Sequence, residues 1–282
     1  MRIVNLIENT EGSRGCAYLH GLSFYVETGK HKLLVDLGPS EETLENAKKL
    51  GIDLTEVDTV ILSHGHYDHS GGIMAFSKVN PRAVIYMQES AKDDYFADEG
   101  RNAGDDRYRY IGIDKDIATL PQVRMILGDH RIDDELDLFT VKERSHELPF
   151  SNKRLLIMKN GEFVRDDFRH EHYLVISDGD RRVLISGCAH NGILSILDAY
   201  RKKYGSFPEA VISGFHLMKK IDYKDEERRE VEDIGKELTE YPTIFYTCHC
   251  TGETAYSIMK QVMGEQLRYV HSGDEVDVLN KD

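Results

Sequence analysis

Short apolar runs recur along the chain: "RIVNLIE", "LSFYVET", "KLLVDLG", "DTVILSH", "AVIYM", "LDLFTVKE", "RLLIMKN", "HYLVISD", "RRVLISG", "EAVISG", "TIFYT" and "EVDVL". Most are rich in β-branched or aromatic residues and end at Gly, Asp, Asn or Pro, so each predicts a strand. Helical spacing of apolar positions falls at about 40–50, 71–79, 192–204, 225–240 and 253–263. The fourth of these, "DEERREVEDIGKELTE", is heavily charged and predicts a solvated amphipathic surface helix. Strands outnumber helices and hairpins appear in both halves. That pattern does not suit a simple doubly wound sheet; an α/β fold of two mixed sheets packed face to face, with helices outside, would accommodate it. The two halves share this strand pattern, and no other internal repeat is evident. A length of 282 residues suits one large domain spanning 1–282. Residues 88–120 break the rhythm, being polar, acidic and tyrosine-rich, and predict an irregular insert or flap with little core-forming power.

Within this pattern one stretch carries unusual chemistry. "SHGHYDHSGG", residues 63–72, places three histidines and an aspartate in six positions directly after the apolar run "DTVIL". His64 and His66 stand two apart as the chain leaves a strand, so both rings can point to one side. Asp68 and His69 follow on the turn, where they can face the first pair. Gly71 and Gly72 permit a tight backbone before the helical "IMAFSKV". A polar turn that only capped a helix would need one Asp or Ser, not three histidines. Imidazole and carboxylate clustered in this way suit zinc, manganese or iron. Downstream, three further strand ends each deliver a histidine: His190 in "ISGCAHNG", His216 in "ISGFHL" and His249 in "TCHCTG".

The stretch His64, Gly65, His66, Tyr67, Asp68, His69 matches the HxHxDH motif of the metallo-β-lactamase superfamily. "LHGLSFYVET", "VDLG" at 35–38, "ISGCAHNGI", "ISGFHL" and "TCHCTG" resemble one branch of it. That branch comprises metal-dependent hydrolases and synthases of dihydropterin-ribofuranosylaminobenzene phosphate. The resemblance runs through the whole chain and implies a four-layer αββα sandwich with metal ligands along one rim. It implies one site from His64, His66 and His190, and a second from Asp68, His69 and His249. It also implies one or two divalent ions, zinc first and manganese or iron as alternatives.

The chain departs from the superfamily where most members place a carboxylate bridging both metals. Here the strand end offers His216 or, on a shifted alignment, Cys188. An imidazole with one free lone pair cannot readily bridge two cations, whereas a thiolate can. Cys188 reads first as a small buried residue in a tight turn, and His216 as a substrate contact or the ligand of one metal. Cys248 and Cys250 flank His249 and read as packing residues pointing away from its face. His20 matches a recurrent feature of the branch and is expected to reach the site. In "DFRHEHYLV", His170, Glu171 and His172 precede a strand; a hairpin surface is one reading, and a substrate-binding Glu171 is the other. In "RYRYIGID", Arg107, Arg109 and Tyr110 could present cations and rings to a ligand. His130 and His146 lie in charged segments and are expected at the surface, with His146 an alternative third ligand.

Composition narrows the function. The 50 acidic against 36 basic side chains give a net charge of −14, which argues against a nucleic-acid partner. Nucleases of the superfamily also carry an inserted domain for which this chain has no room. No stretch approaches the ~20 apolar residues that span a membrane. The start, "MRIVNLIENTEG", lacks the features of a secretory signal, so the expected address is the cytoplasm. Four cysteines without a CxxC pair suit reduced thiols there. A metal on this rim would polarise a carbonyl or phosphoryl oxygen and lower the pKa of bound water towards ~7. The leading expectation is therefore hydrolysis of an ester, lactone, amide or phosphoester of a small molecule. Asp68 would ligate, orient the water or take its proton. The alternatives are a synthase acting on a phosphorylated, pterin-like substrate, and a metal-dependent ligand sensor without turnover. Sequence leaves the oligomeric state open.

Overall fold

The computed structural model describes residues 1–100, 104, 107–179 and 181–278. In its first half the chain forms β1 (Arg2–Ile7), β2 (Ser23–Glu27), β3 (Lys32–Val35), α1 (Glu42–Lys49), β4 (Thr59–Ile61), α2 (Tyr67–Ser70), α3 (Ile73–Val79) and β5 (Val84–Gln88). The middle contributes β6 (Tyr95–Asp98), β7 (Tyr108–Tyr110), β8 (Val123–Ile126), β9 (His130–Arg131), β10 (Leu136–Phe139), β11 (Leu155–Lys159) and β12 (Glu162–Arg165). The second half adds β13 (Tyr173–Asp178), β14 (Arg181–Ile185), α4 (Ile193–Tyr204), β15 (Ala210–Ser213), α5 (Asp225–Leu238), β16 (Ile244–Thr247), α6 (Glu253–Met263), β17 (Leu267–Tyr269) and β18 (Glu275–Val276).

Two seven-stranded mixed sheets result, in the orders β18-β1-β2-β3-β4-β5-β8 and β17-β16-β15-β14-β13-β10-β9. Each is antiparallel at one side and parallel at the other. The change falls at β3 in the first sheet and at β14 in the second. The shared strand pattern of the two halves is thus a shared topology.

Alternation along the strands explains the layering. On β2, Phe24 and Val26 face the second sheet while Tyr25 faces outward; on β3, Leu33 and Val35 face inward and Leu34 outward. The inner residues meet Leu136, Leu174, Ile176, Val183 and Ile185 of the second sheet. The outward set is covered by α1 and α3, through Ala47, Ile73 and Phe76. On the far side α4, α5 and α6 cover Val175, Leu184, Val211 and Phe245. The charged helix expected at the surface is α5, and it buries Val231, Gly235 and Leu238 on one stripe. This is the αββα sandwich.

The segment 88–120 differs from expectation. Among its described residues, β6 and β7 pair with each other and with the β11–β12 hairpin in a third, four-stranded sheet. Tyr95, Ala97 and Ile111 pack with Leu155, Ile157 and Phe168, so the segment has a core of its own. Residues 101–103 and 105–106 of that prediction lie outside the described residues.

Candidate metal centre

Five parallel strands end on one rim, and each hands over to a short polar segment: β3 to Asp36, β4 to Ser63 and His64, β14 to Cys188 and His190, β15 to His216, and β16 to His249. The carboxyl ends of parallel strands are where backbones diverge and leave a crevice. Close backbone approach compresses this rim. A Cβ at Gly71 would sit 2.0 Å from the Pro39 carbonyl oxygen, and one at Gly187 would sit 2.2 Å from Ser63 Oγ. Gly71 thus serves close packing rather than an unusual backbone angle.

Backbone strain is also concentrated here. Asp36, Phe168, Ala189, His216 and His249 adopt positive φ between 48° and 62°. For residues other than glycine this costs roughly 1–3 kcal/mol each and persists only where the surroundings enforce it. Four of the five bear, or directly follow, a side chain of the cluster described next, and Phe168 stacks on the His190 ring with centroids 4.9 Å apart and planes 4° apart.

Hydrogen-bond bookkeeping fixes the tautomers of the buried imidazoles. Asp36 accepts from the Ser63 N–H (2.7 Å), the Ser63 hydroxyl (2.7 Å) and His69 Nδ1–H (2.6 Å). Because the Ser63 hydroxyl donates to Asp36, it must accept from His64 Nδ1–H, 2.8 Å away. The His64 Nε2 therefore carries a lone pair. Asn152 donates its amide N–H to the His190 carbonyl, so its oxygen accepts from His190 Nδ1–H at 2.9 Å. His190 Nε2 is thus also a lone pair, and it lies 3.3 Å from His64 Nε2. Asn9 holds His249 in the same way, donating to its carbonyl and accepting from Nδ1–H at 2.8 Å. That leaves His249 Nε2 without a hydrogen bond, 3.4 Å from the Asp68 carboxylate. The buried His66 Nε2 has no hydrogen-bond partner either.

Lone pairs facing lone pairs in a buried site repel unless a cation lies between them. The residues fit divalent metal: the ligand atoms of His64, His66 and His190 lie within 4.8 Å of one another, and the outer nitrogens are held by Ser63 and Asn152. Burial, then the neighbouring imidazoles, push His64 and His190 well below the usual histidine range, and His66 to about 3. All three are therefore neutral donors. Burial would raise the Asp68 carboxyl, but His69, His249 and His20 hold it well below its ordinary value. His69 is the exception among the rings. Burial would lower it, yet Asp36 and Asp68 raise it, so a cation at Nε2 competes with a proton.

Most residues singled out from the sequence meet in this cluster. His64, His66 and His190 form the expected trio. Asp68 Oδ2 lies 3.4 Å from His249 Nε2 and 4.0 Å from His69 Nε2. His20 Nε2 approaches Asp68 to 3.3 Å, with its ring half exposed at the mouth. His216 is half-buried; its ring lies 4.2 Å from that of His190 and its Nδ1 is 3.1 Å from Ser151 Oγ.

One open alternative is narrowed, and four expectations need correction. Cys188, not His216, sits between the two sets, with Sγ 3.2 Å from His69 Nε2. The His170–His172 segment is no hairpin surface, because all three residues are buried. Glu171 is not placed to bind substrate: its carboxylate accepts from the backbone N–H of His190 (2.7 Å) and Asn191 (2.9 Å). Arg107 forms a two-pronged pair with Asp98, and Tyr110 lies opposite Phe96 with its hydroxyl on the Ile113 carbonyl, so both are engaged by the small sheet itself. Arg109 pairs with Glu99 but also lies over the Tyr67 ring, beside the motif. His146 is not a third ligand here; it pairs with Asp198 (3.2 Å) on α4.

Sequence reasoning missed the supporting residues Glu8, Asn9, Asp36, Ser63, Asn152 and Asp166, and the supporting role of His170. Glu8 accepts from the His249 N–H at 2.9 Å. His170 Nδ1 accepts from the Gly65 N–H between the first two ligands (2.9 Å), while its Nε2 meets Asp166 at 3.0 Å. The available signal was a polar residue at the end of an apolar strand, as in "VDLG" and "NLIEN".

Fold and cluster together define an αββα sandwich with a histidine-rich rim that could hold a metal ion. The model of the metallo-beta-lactamase superfamily matches residues 18–214, and the chain belongs to that superfamily. It is 28% identical to Tm1679, described as a metal-dependent hydrolase of the β-lactamase superfamily, with a TM-score of 0.80 and 98% of each chain covered. The uncharacterized protein MJ0448 of Methanocaldococcus jannaschii is 27% identical over 97% of this chain and 98% of its own length. A 7,8-dihydropterin-6-methyl-4-(β-D-ribofuranosyl)-aminobenzene-5'-phosphate synthase of the same organism is 29% identical, covering 90% of this chain and 88% of that one. No helix among the described residues is long and apolar enough to cross a membrane.

Proposed function

We propose that the protein is a metal-dependent hydrolase of a small-molecule ester, lactone, amide or phosphoester. The observation that carries this reading is the pair of Nε2 lone pairs of His64 and His190 held 3.3 Å apart. His64, His66 and His190 would hold one divalent cation, zinc first with manganese or iron as alternatives, and Asp68, His69 and His249 a second. When bound, such a cation polarises the substrate oxygen and acidifies water at neutral pH. The protein's own contribution is orientation. Asp36, Asn152 and Asn9 fix which nitrogen of each ring faces the centre, and the Phe168 ring covers one face of His190. Asp68 offers a carboxylate beside the half-exposed His20, where a proton from the attacking group can be received. His216 lines the other side of the mouth and contacts substrate.

Elemental analysis of the purified protein, repeated on the His64→Ala/His66→Ala double variant, tests the centre. At least one transition metal per chain is expected, and most of it should vanish in the variant. Turnover of phosphodiester and lactone substrates with added zinc then tests hydrolysis. A second reading, a synthase acting on a phosphorylated pterin-like substrate, is favoured by the near full-length similarity to the dihydropterin synthase. Dihydropterin binding without hydrolytic turnover would favour it, and neither binding nor turnover would leave a sensor.

A further inference from the structure

Two cations in this pocket would face neutral imidazoles on almost every side. The anionic groups around it are mostly committed elsewhere: Asp36 to His69 and Ser63, Glu171 to the His190 and Asn191 backbone, and Asp166 to His170. Asp68 reaches the inner nitrogens of His249 and His69, and Asp166, although paired with His170, lies within 4.8 Å of a His66 nitrogen. A buried pair of divalent charges with a single uncommitted carboxylate would be poorly neutralised, since charge in low dielectric needs a partner.

Cys188 is the group left over. It is buried at the end of β14, and its sulfur lies within 4.8 Å of ligand atoms of both sets, His64 of the first and His69 and His249 of the second. The 3.2 Å line from His69 Nε2 to Cys188 Sγ must carry a proton, on nitrogen or on sulfur. A cation can take the place of that proton. Cys250 is close by, but its sulfur accepts the His216 N–H (3.3 Å) and faces the Cys188 carbonyl (3.6 Å). Cys250 thus lies within 4.8 Å of Cys188 and a His249 nitrogen but is engaged by backbone, whereas Cys188 approaches His69 Nε2 directly.

We propose that Cys188 is a thiolate ligand shared by the two metal positions, standing where a bridging carboxylate would otherwise be required, and that it tunes the centre towards thiophilic cations. A sulfur with several lone pairs can serve two cations, and soft donors favour zinc, cadmium and cobalt(II) over manganese or magnesium. The inference rests on the two-position reading above, and cobalt titration separates their failures. The full-length protein is stripped of metal and titrated with cobalt(II), following bound equivalents and the sulfur-to-cobalt charge-transfer absorption. Two equivalents with a charge-transfer band are expected. Cys188→Ala should abolish the band and weaken one equivalent by at least about 10-fold. Cys188→Asp should bind two equivalents without the band and bind manganese more tightly than the parent. Cys250→Ser should keep the band. Thermal melts of the metal-free variants confirm folding. No cobalt binding at all would overturn the metal reading itself. Two equivalents without a band in the parent, or a band that survives Cys188→Ala, would overturn only the role of Cys188.

Discussion

Replacing Asp36 by Asn changes one oxygen to nitrogen in a side chain that is 1% exposed. The carboxylate accepts three hydrogen bonds, from Ser63 N–H, Ser63 Oγ–H and His69 Nδ1–H. An amide can accept on one side only. If its oxygen keeps the Ser63 N–H, the NH2 confronts two donors on the other side. Relief requires His69 to move its proton to Nε2, which places that proton on the line to Cys188, and requires the Ser63 hydroxyl to turn away from Asp36. The freed Ser63 proton can then point at His64 Nδ1, so that the His64 tautomer is no longer fixed. One substitution therefore disturbs a ligand from each set, although Asp36 itself would touch no cation.

The magnitude follows from these contacts. Loss of an outer partner of a metal-binding histidine costs about 10–100-fold in affinity, or about 1.4–2.7 kcal/mol. An unsatisfied buried group costs the metal-free fold a further ~1–3 kcal/mol, which lowers Tm by a few degrees for a chain of this length. Chelator competition measures the metal Kd, and a thermal melt of stripped protein measures the fold. Affinity unchanged within about twofold would refute the tautomer argument, even if the melt shifted.

Glu171→Gln should lower Tm by the equivalent of ~1–3 kcal/mol, because an amide cannot accept from both the His190 and the Asn191 N–H while the Tyr173 hydroxyl also donates to the carboxylate; an unshifted melt would show that these bonds are dispensable. His31 spans Asp58 and Asp133 at 2.7 and 2.8 Å, tying the β2–β3 turn to the β9–β10 turn. Burial would lower the His31 pKa, but its bonds to the two aspartates raise it above the ordinary value. Its contribution is therefore full below the unfolded value of ~6.5 and lost as pH rises through the higher folded value. The Tm gap between the parent and His31→Ala should shrink from pH 6 to pH 9, and a gap that widened would reverse the sign. His216→Ala should lower turnover more than metal content, since Ser151 holds its Nδ1 and the proposed ligands all remain in place; equal loss of both would make it a ligand.

Most of the fold was legible because burial on one face writes itself into the sequence every second residue. "SFYVE" and "KLLV" show this in the first sheet, and "YLVIS" shows it in the second. What failed were strands whose partners are remote or whose outer face is charged. β6, "YFAD", buries only Tyr95 and Ala97, and it is sandwiched between acidic residues that make the segment look soluble. Its pairing partner β11 lies far along the chain, and local composition carries no trace of it. β12 is exposed at every residue, so no apolar alternation marks it.

The site divides along a different physical line. Residues that would touch metal were legible because imidazole and carboxylate at strand ends have few other uses at that density. The groups that aim them were not, because hydrogen bonding leaves no periodic signature. Asn9, Asn152 and Asp36 are ordinary polar residues until the fold brings each within 3 Å of a ring nitrogen. Glu171 illustrates the cost of reading type without position: a carboxylate next to histidines suggests substrate, yet full burial against two N–H groups makes it a brace for the His190 backbone. Cys188 shows the converse. Its burial suited a packing role, and only its 3.2 Å approach to His69 Nε2 distinguishes a sulfur that packs from one that can take a cation.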